Sequence, residues 1–239
     1  MTVQNRPNTG RVAPRTVSTR AKLVAIAERL FAERGIDNIT LSDINKAAGQ
    51  RNKSAAQYHF GSKDGLLQAI LDKHAPGIVD RRNAILDELE ARGNPSVHDV
   101  VGALLHPIAA KLDDPDGGTA FIRIEAQLVA THLMSIQHLR ESSLRLRQVD
   151  RLVRALLAVT VDLPEPVAQQ RLMLSAILLF HGLADHSRML DANVAANPLM
   201  HTPLFVRTLE DCLVALLSAR MSNDTFATLS GLGAAHVGQ

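Results

Sequence analysis

Arg51, Asn52, Lys53, Ser54, Gln57, Tyr58 and His59 crowd one short stretch that is rich in hydrogen-bonding groups and poor in acids. Side chains of these types can pair with the exposed edges of bases and with phosphate oxygens. They need a rigid element to present them. The stretch Thr40–Phe60 reads as a short helix, a glycine turn and a second short helix. Thr40 is placed to cap the first helix, with Asp43 three residues on in a capping-box position. Leu41, Ile44, Ala47 and Ala48 then share one face, and Gly49 follows where a helix end favours a left-handed residue. The second helix is expected over about Asn52–His59. A short polar helix propped by another across a tight turn suits a DNA major groove.

The preceding segment supplies the platform such a pair requires, since isolated short helices are marginal in water. Ser18 or Thr19 can cap a helix whose Leu23, Ile26, Ala27, Leu30 and Phe31 form one apolar stripe, ended by Gly35. Charge is distributed to match. The chain carries a formal net charge of only +2, but residues 1–63 hold 11 Lys/Arg against 4 Asp/Glu, and residues 64–239 hold 15 against 20. Positive charge therefore gathers where the two-helix unit sits, as polyphosphate binding requires. Residues 1–17, with Arg6, Arg11 and Arg15, read as a disordered basic arm, either a solvated tail or a strand along phosphates or the minor groove.

Leu30-Phe31-Ala32-Glu33-Arg34-Gly35, Thr40-Leu41-Ser42-Asp43-Ile44, Ala48-Gly49, Tyr58-His59-Phe60-Gly61-Ser62-Lys63 and Leu66-Leu67 together resemble the N-terminal domain of the TetR family of transcriptional regulators, over about residues 19–75. The interval from Gly49 to Phe60 is one residue longer than the family's usual spacing, which leaves the start of the recognition helix open. The resemblance implies that Lys53, Ser54 and Gln57 face the groove, flanked by Arg51 and Asn52. It implies backbone or thymine-methyl contacts for Tyr58 and His59, and phosphate contacts for Thr40, Ser42 and Lys63. Phe60 reads as core.

The rest of the chain shows no repeat and no extended strand-like alternation. Few aromatics and much Leu and Ala favour helix. The expected fold class is all-α: a three-helix DNA-binding head with a helix-turn-helix, residues 18–75, and a larger α-helical ligand-binding and dimerisation domain, residues 76–220, followed by a flexible tail, residues 221–239. Ser62 is expected to cap a helix that Pro76-Gly77 interrupts. Further helices are expected over about Ile78–Ala91, Ser96–Leu112 with a kink at Pro107, Ala120–His132, Ile136–Ala158, Glu165–Leu190 and Pro203–Arg220. In the resembling family, movement of the helix after the head changes the spacing of paired heads.

Leu178, Leu179 and Leu183 on one late helix, and Phe205, Leu209, Leu213 and Leu216 on the next, are candidate dimer-interface residues; a single internal core is the alternative. His106, Phe121, Glu125, His132, Met134, His138, Phe180 and His181 are candidate ligand contacts, as apolar walls with sparse polar groups. No metal site is expected. The histidines lack zinc spacing, and a calcium-loop reading of Asp114, Asp116 and Glu125 fails because Thr119 stands where such a loop needs glycine. Arg140, Arg145, Arg147, Arg151 and Arg154 read as a solvated face with ordinary pairing from Glu141 and Asp150, rather than a second nucleic-acid patch. The lone Cys212 fits a reducing compartment, and the apolar run Leu172–Ala184 is too short to span a membrane, so a soluble cytoplasmic protein is expected.

No phosphate loop, nucleophile elbow or other catalytic constellation is present, so no catalytic residue and no cofactor are expected. The expected function is a ligand-responsive transcriptional regulator, a repressor that binds a palindromic operator in double-stranded DNA as a homodimer and is released by a small, apolar effector. The alternative is an all-α carrier or enzyme with an incidental basic head.

Overall fold

The computed structural model describes residues 14–132, 150–160, 162–192 and 201–236, and the described residues are all-α. In order, the helices are α1 (Pro14–Arg34), α2 (Leu41–Ala47), α3 (Ala55–Phe60), α4 (Lys63–Arg92), α5 (Val97–Ala109), α6 (Gly118–His132), α7 (Asp150–Ala158), α8 (Glu165–Asp191), α9 (Thr202–Ser218) and α10 (Asn223–His236), with a 3₁₀ turn at Ala110–Asp113. The chain divides into two compact units, Met1–Lys73 and His74–Gln239.

In the first unit the apolar stripe of α1 is the platform. Leu23, Ala27, Leu30 and Phe31 are buried, together with Ile44 and Ala48, Ala55 and Ala56 of α3, and Leu66, Leu67 and Ile70 of α4. Helix α1 begins at Pro14, four residues before the expected cap, so residues 14–17 belong to a helix and not to a disordered arm. Proline is suited to a first helical turn, where its missing N–H has no helical partner to lose. The remainder of the arm lies outside the described residues.

Helix α4 differs from the expected pair of helices: it runs through Pro76 as one 30-residue element. Pro76 and Gly77 are both exposed, so the helix bond that proline cannot make falls on the solvent side. Burial of Leu71 and Ile78 on either side favours continuing the helix over breaking it.

In the second unit α8 packs against α6 and α9, and α9 packs against α5. Ser96 and Asp99 form a reciprocal capping box at the start of α5. Gly182 faces Leu209 and Phe205 of α9, where an added Cβ would make ordinary contacts at 3.6 and 3.7 Å. Leu179, Leu183 and Leu213 are fully buried, and Leu209 nearly so. These four expected interface residues are therefore spent on the internal core of one chain and cannot also face a partner. Leu178 is 38 % exposed, while Phe205 and Leu216 are half-buried. Within the expected tail, residues 223–236 form α10. The Thr225 N–H donates to Ser222 Oγ at 3.2 Å and starts the helix, a cap signal followed by Ala- and Leu-containing sequence. Helix α8 is long and apolar enough to cross a membrane by length and composition alone, a test that core helices also pass. It buries Ser175, His186 and Ser187 and carries Arg171 and Arg188, features of a helix packed within a protein.

Candidate nucleic-acid interface

Helix α2 is fixed by its first residue. The Asp43 N–H donates to Thr40 Oγ1 at 3.2 Å, the Thr40 N–H donates to Asp43 Oδ2 at 3.0 Å, and the Thr40 hydroxyl donates to the same carboxylate at 2.6 Å. These bonds from Thr40 hold the Asp43 carboxyl below the usual carboxylate range. The Thr40 hydroxyl is thus engaged in the cap, whereas Ser42 is exposed. Gly49 turns the chain at φ +62°, a backbone conformation that side chains disfavour.

The next helix starts later than expected. α3 spans Ala55–Phe60, and Asn52, Lys53 and Ser54 form the turn before it. The cause is local. Asn52 Oδ1 accepts from the Ser54 N–H at 2.9 Å, a side-chain turn that competes with helix. The buried Asn45 then locks the turn: its Nδ2 donates to the Lys53 carbonyl at 2.6 Å, and its Oδ1 accepts from the Ala56 N–H at 2.9 Å. Asn45 escapes the sequence reading because it is polar. Its position beside Ile44 on the buried face of α2 was the available signal.

Ala55 and Ala56 face inward, so the remaining side chains of α3 are presented outward. Arg51, Asn52, Lys53, Ser54, Gln57 and Tyr58 are exposed, and His59 is half-buried. Tyr58 stands out at 80 % exposure, with its ring edge-on to His59 at 5.3 Å between centroids. The Gln57 amide donates to the Gly61 carbonyl. Phe60 is half-buried, with the Arg20 guanidinium 5.1 Å from its ring centroid. Lys63 holds the helix that follows to the α1–α2 turn: its Nζ donates to the Ile36 carbonyl at 3.0 Å. No acidic residue lies between Asp43 and Asp64. The resulting face is cationic, rich in donors and set on a rigid two-helix scaffold, which matches what phosphate and base-edge contact requires.

The candidate ligand residues are dispersed. His106 Nε2 lies 2.9 Å from Oε1 of the buried Glu210, which also pairs with Arg207 at 2.8 Å and has His98 at 3.9 Å. His106 thus belongs to an ionic cluster joining α5 and α9. Phe121 is buried, with its ring 4.6 Å from that of His74. Glu125 follows four residues later on α6, and burial pushes its carboxyl up to about 7, partly offset by Arg82. Phe180 and His181 are half-buried neighbours on α8. Met134, His138 and the side chain of His132 lie outside the described residues. Asp114 accepts from Lys111 at 2.8 Å and from the Asp116 N–H at 2.9 Å, and these bonds tie its carboxylate into the loop. Arg151 pairs with Asp87 at 2.7 Å and Glu90 at 2.9 Å, so its guanidinium is engaged within its own unit. Arg140, Arg145 and Arg147 lie outside the described residues.

The head is therefore a helix-turn-helix domain of the DNA-binding kind. Residues 23–70 match the model of a family described as bacterial regulatory proteins, tetR family. The chain is also similar to the HTH-type transcriptional regulator TtgR of Pseudomonas putida, at 44 % identity over 54 residues. That match covers 23 % of this chain and 25 % of the relative, so the chain spans about a quarter of that relative's length. Among solved structures, a transcriptional regulator from Rhodococcus sp. Rha1 is 19 % identical, with a TM-score of 0.46 over 83 % of this chain and 95 % of that one. A TetR-family regulator from Streptomyces coelicolor A3 is 20 % identical, with a TM-score of 0.42 over 87 % and 99 % of the two chains.

Proposed function

We propose that the chain is a ligand-responsive transcriptional regulator that acts in the cytoplasm, binds a palindromic operator as a homodimer, and represses until a small molecule releases it. The observation that carries the reading is the outward face of α3 and its preceding turn, where Lys53 in the turn and Gln57 and the highly exposed Tyr58 on the helix are held in place by the buried Asn45. Gln57 can exchange its bond to Gly61 for an adenine edge, and Lys53 can meet guanine or phosphate. Arg51, Ser42 and Tyr58 supply contacts to the backbone, and Thr40 acts by fixing α2, its hydroxyl being engaged in the cap rather than at a phosphate.

A six-residue helix touches too few bases for useful specificity, and two symmetric heads reading one palindrome remedy this. Among the described residues, exposed apolar side chains able to join two copies include Leu174, Leu178, Met189 and Leu190 on α8 and Leu204 on α9. An effector held by the second unit favours one of two head spacings, and its differential affinity sets the size of the response. Footprinting on the DNA upstream of the protein's own gene tests the reading. A protected palindrome whose affinity falls steeply with salt is expected. No protection, or salt-independent binding, refutes it.

A further inference from the structure

On α4, Ile78, Arg82, Leu86 and Leu89 follow at helical spacing, and all four are buried. Three are aliphatic and one is a guanidinium. Arg82 retains 6 % of its surface, and its Nε finds no hydrogen-bond partner among the described residues. Burial lowers its pKa, against the attraction of Glu125. An arginine desolvated in this way is retained at a cost unless something answers its charge and its donors.

The answering group within the chain is incomplete. Glu125 lies on α6 and attracts Arg82 electrostatically, without a hydrogen bond or ion pair between the two among the described residues. The Glu125 residue keeps some surface exposure, but the neighbours packed around its carboxyl raise its pKa to about 7. Near neutral pH it therefore cancels only part of the arginine's charge. α4 and α6 also meet where the ring of Phe121 lies 4.6 Å from that of His74, more than two turns before Arg82 on α4. Asp114 lies 4.0 Å from His74 and is paired with Lys111. A buried cation with an unused Nε–H thus remains within the aliphatic stripe of Ile78, Leu86 and Leu89.

We propose that Arg82 anchors the carboxylate of a small organic acid held between α4 and α6, with Glu125 as its second polar contact. The planar guanidinium fork matches a carboxylate through two parallel hydrogen bonds, and a full negative charge answers a desolvated cation as a neutral carbonyl does not. Glu125, when protonated, donates to the same carboxylate. A dianion such as phosphate is disfavoured, because it meets the ionised fraction of Glu125. The proposal rests on the reading of the second unit as an effector domain and supplies the chemical class of the effector.

Isothermal titration calorimetry of the full chain, with straight-chain carboxylates from butanoate to decanoate, benzoate and the matched alcohols, tests it. At least one carboxylate is expected to bind about tenfold or more tightly than its alcohol. Arg82→Gln should weaken that binding about tenfold, Arg82→Lys should retain part of it, and Glu125→Gln should leave it equal or tighter. No preference for any acid over its alcohol, or unchanged binding by Arg82→Gln, overturns the proposal. If Arg82→Gln loses its thermal transition, Arg82→Lys and the wild-type acid–alcohol comparison decide. Protein that binds its operator but prefers no carboxylate refutes this inference alone; protein that binds an acid but no DNA refutes the regulator reading instead.

Discussion

Asn45 and Ala56 are joined through the carboxamide of one and the backbone N–H of the other, at 2.9 Å, while the same carboxamide donates to the Lys53 carbonyl at 2.6 Å. One buried side chain on α2 thus sets where α3 begins. Replacing it with Leu leaves a buried N–H and a carbonyl unanswered. Asn45→Leu should cost the head about 1–3 kcal/mol in thermal or denaturant unfolding and weaken DNA binding in parallel. Unchanged DNA affinity in a fully folded variant would show that the turn is not held this way.

Tyr58 and Gln57 make the opposite case. Both are exposed, so truncation removes little packing. Tyr58→Ala and Gln57→Ala should each lower operator affinity by about 1–3 kcal/mol, with unfolding midpoints close to wild type. Gln57→Ala should also relax base preference at one operator position, which selection from randomised duplexes can read.

The cap at Thr40 is a stability device. Thr40→Ala should destabilise the head by about 0.5–2 kcal/mol. The Asp43 carboxyl, held low by Thr40, adds stability that is present above its ordinary value of 3.8 and is lost as pH falls through the lower folded value. The variant should therefore show a weaker loss of head stability in acid than the parent does, measured by circular dichroism.

Glu125 has the reverse sign. Its folded carboxyl is raised from 4.5 to about 7, so the folded state holds the proton more tightly than the unfolded chain. The stability it contributes is complete below 4.5 and is lost as pH rises through about 7. Glu125→Gln should remove that dependence and make the second unit more stable than the parent at pH above 7. Melting curves across this range for the two proteins provide the measurement.

Leu178 and Leu213 separate assembly from folding. Leu213→Ala should cost about 2–5 kcal/mol, because the side chain is fully buried. Leu178→Glu changes a 38 % exposed position and should leave the fold intact while shifting the species seen by analytical ultracentrifugation toward monomer. A Leu178→Glu protein that sediments as the parent does would remove Leu178 from the interface.

Features encoded by neighbouring residues are readable in the chain itself. Thr40 with Asp43 forms the expected reciprocal cap, and Ser96 with Asp99 forms another, since each is decided within four residues. The continuity of α4 is not readable, because the effect of Pro76 depends on whether its missing bond meets solvent or core. The burial of Leu179, Leu183, Leu209 and Leu213 is equally hidden: an apolar stripe marks a buried face without saying whether its own chain or another buries it. Asn45 and Arg82 show a further limit. Each is a polar residue inside an apolar stripe, and only the packed structure shows that one is a fully bonded staple and the other a buried cation with an unbonded Nε.

The chain has one tyrosine and no tryptophan. Because that tyrosine stands 80 % exposed on α3, the near-ultraviolet emission of the unlabelled protein originates from a single ring on the outer surface of the head. Adding duplex should quench it, whereas an effector taken up by the second unit should leave it unperturbed unless the two events are coupled. The protein thus carries its own optical probe, and a single cuvette can distinguish occupancy of one unit from a response in the other.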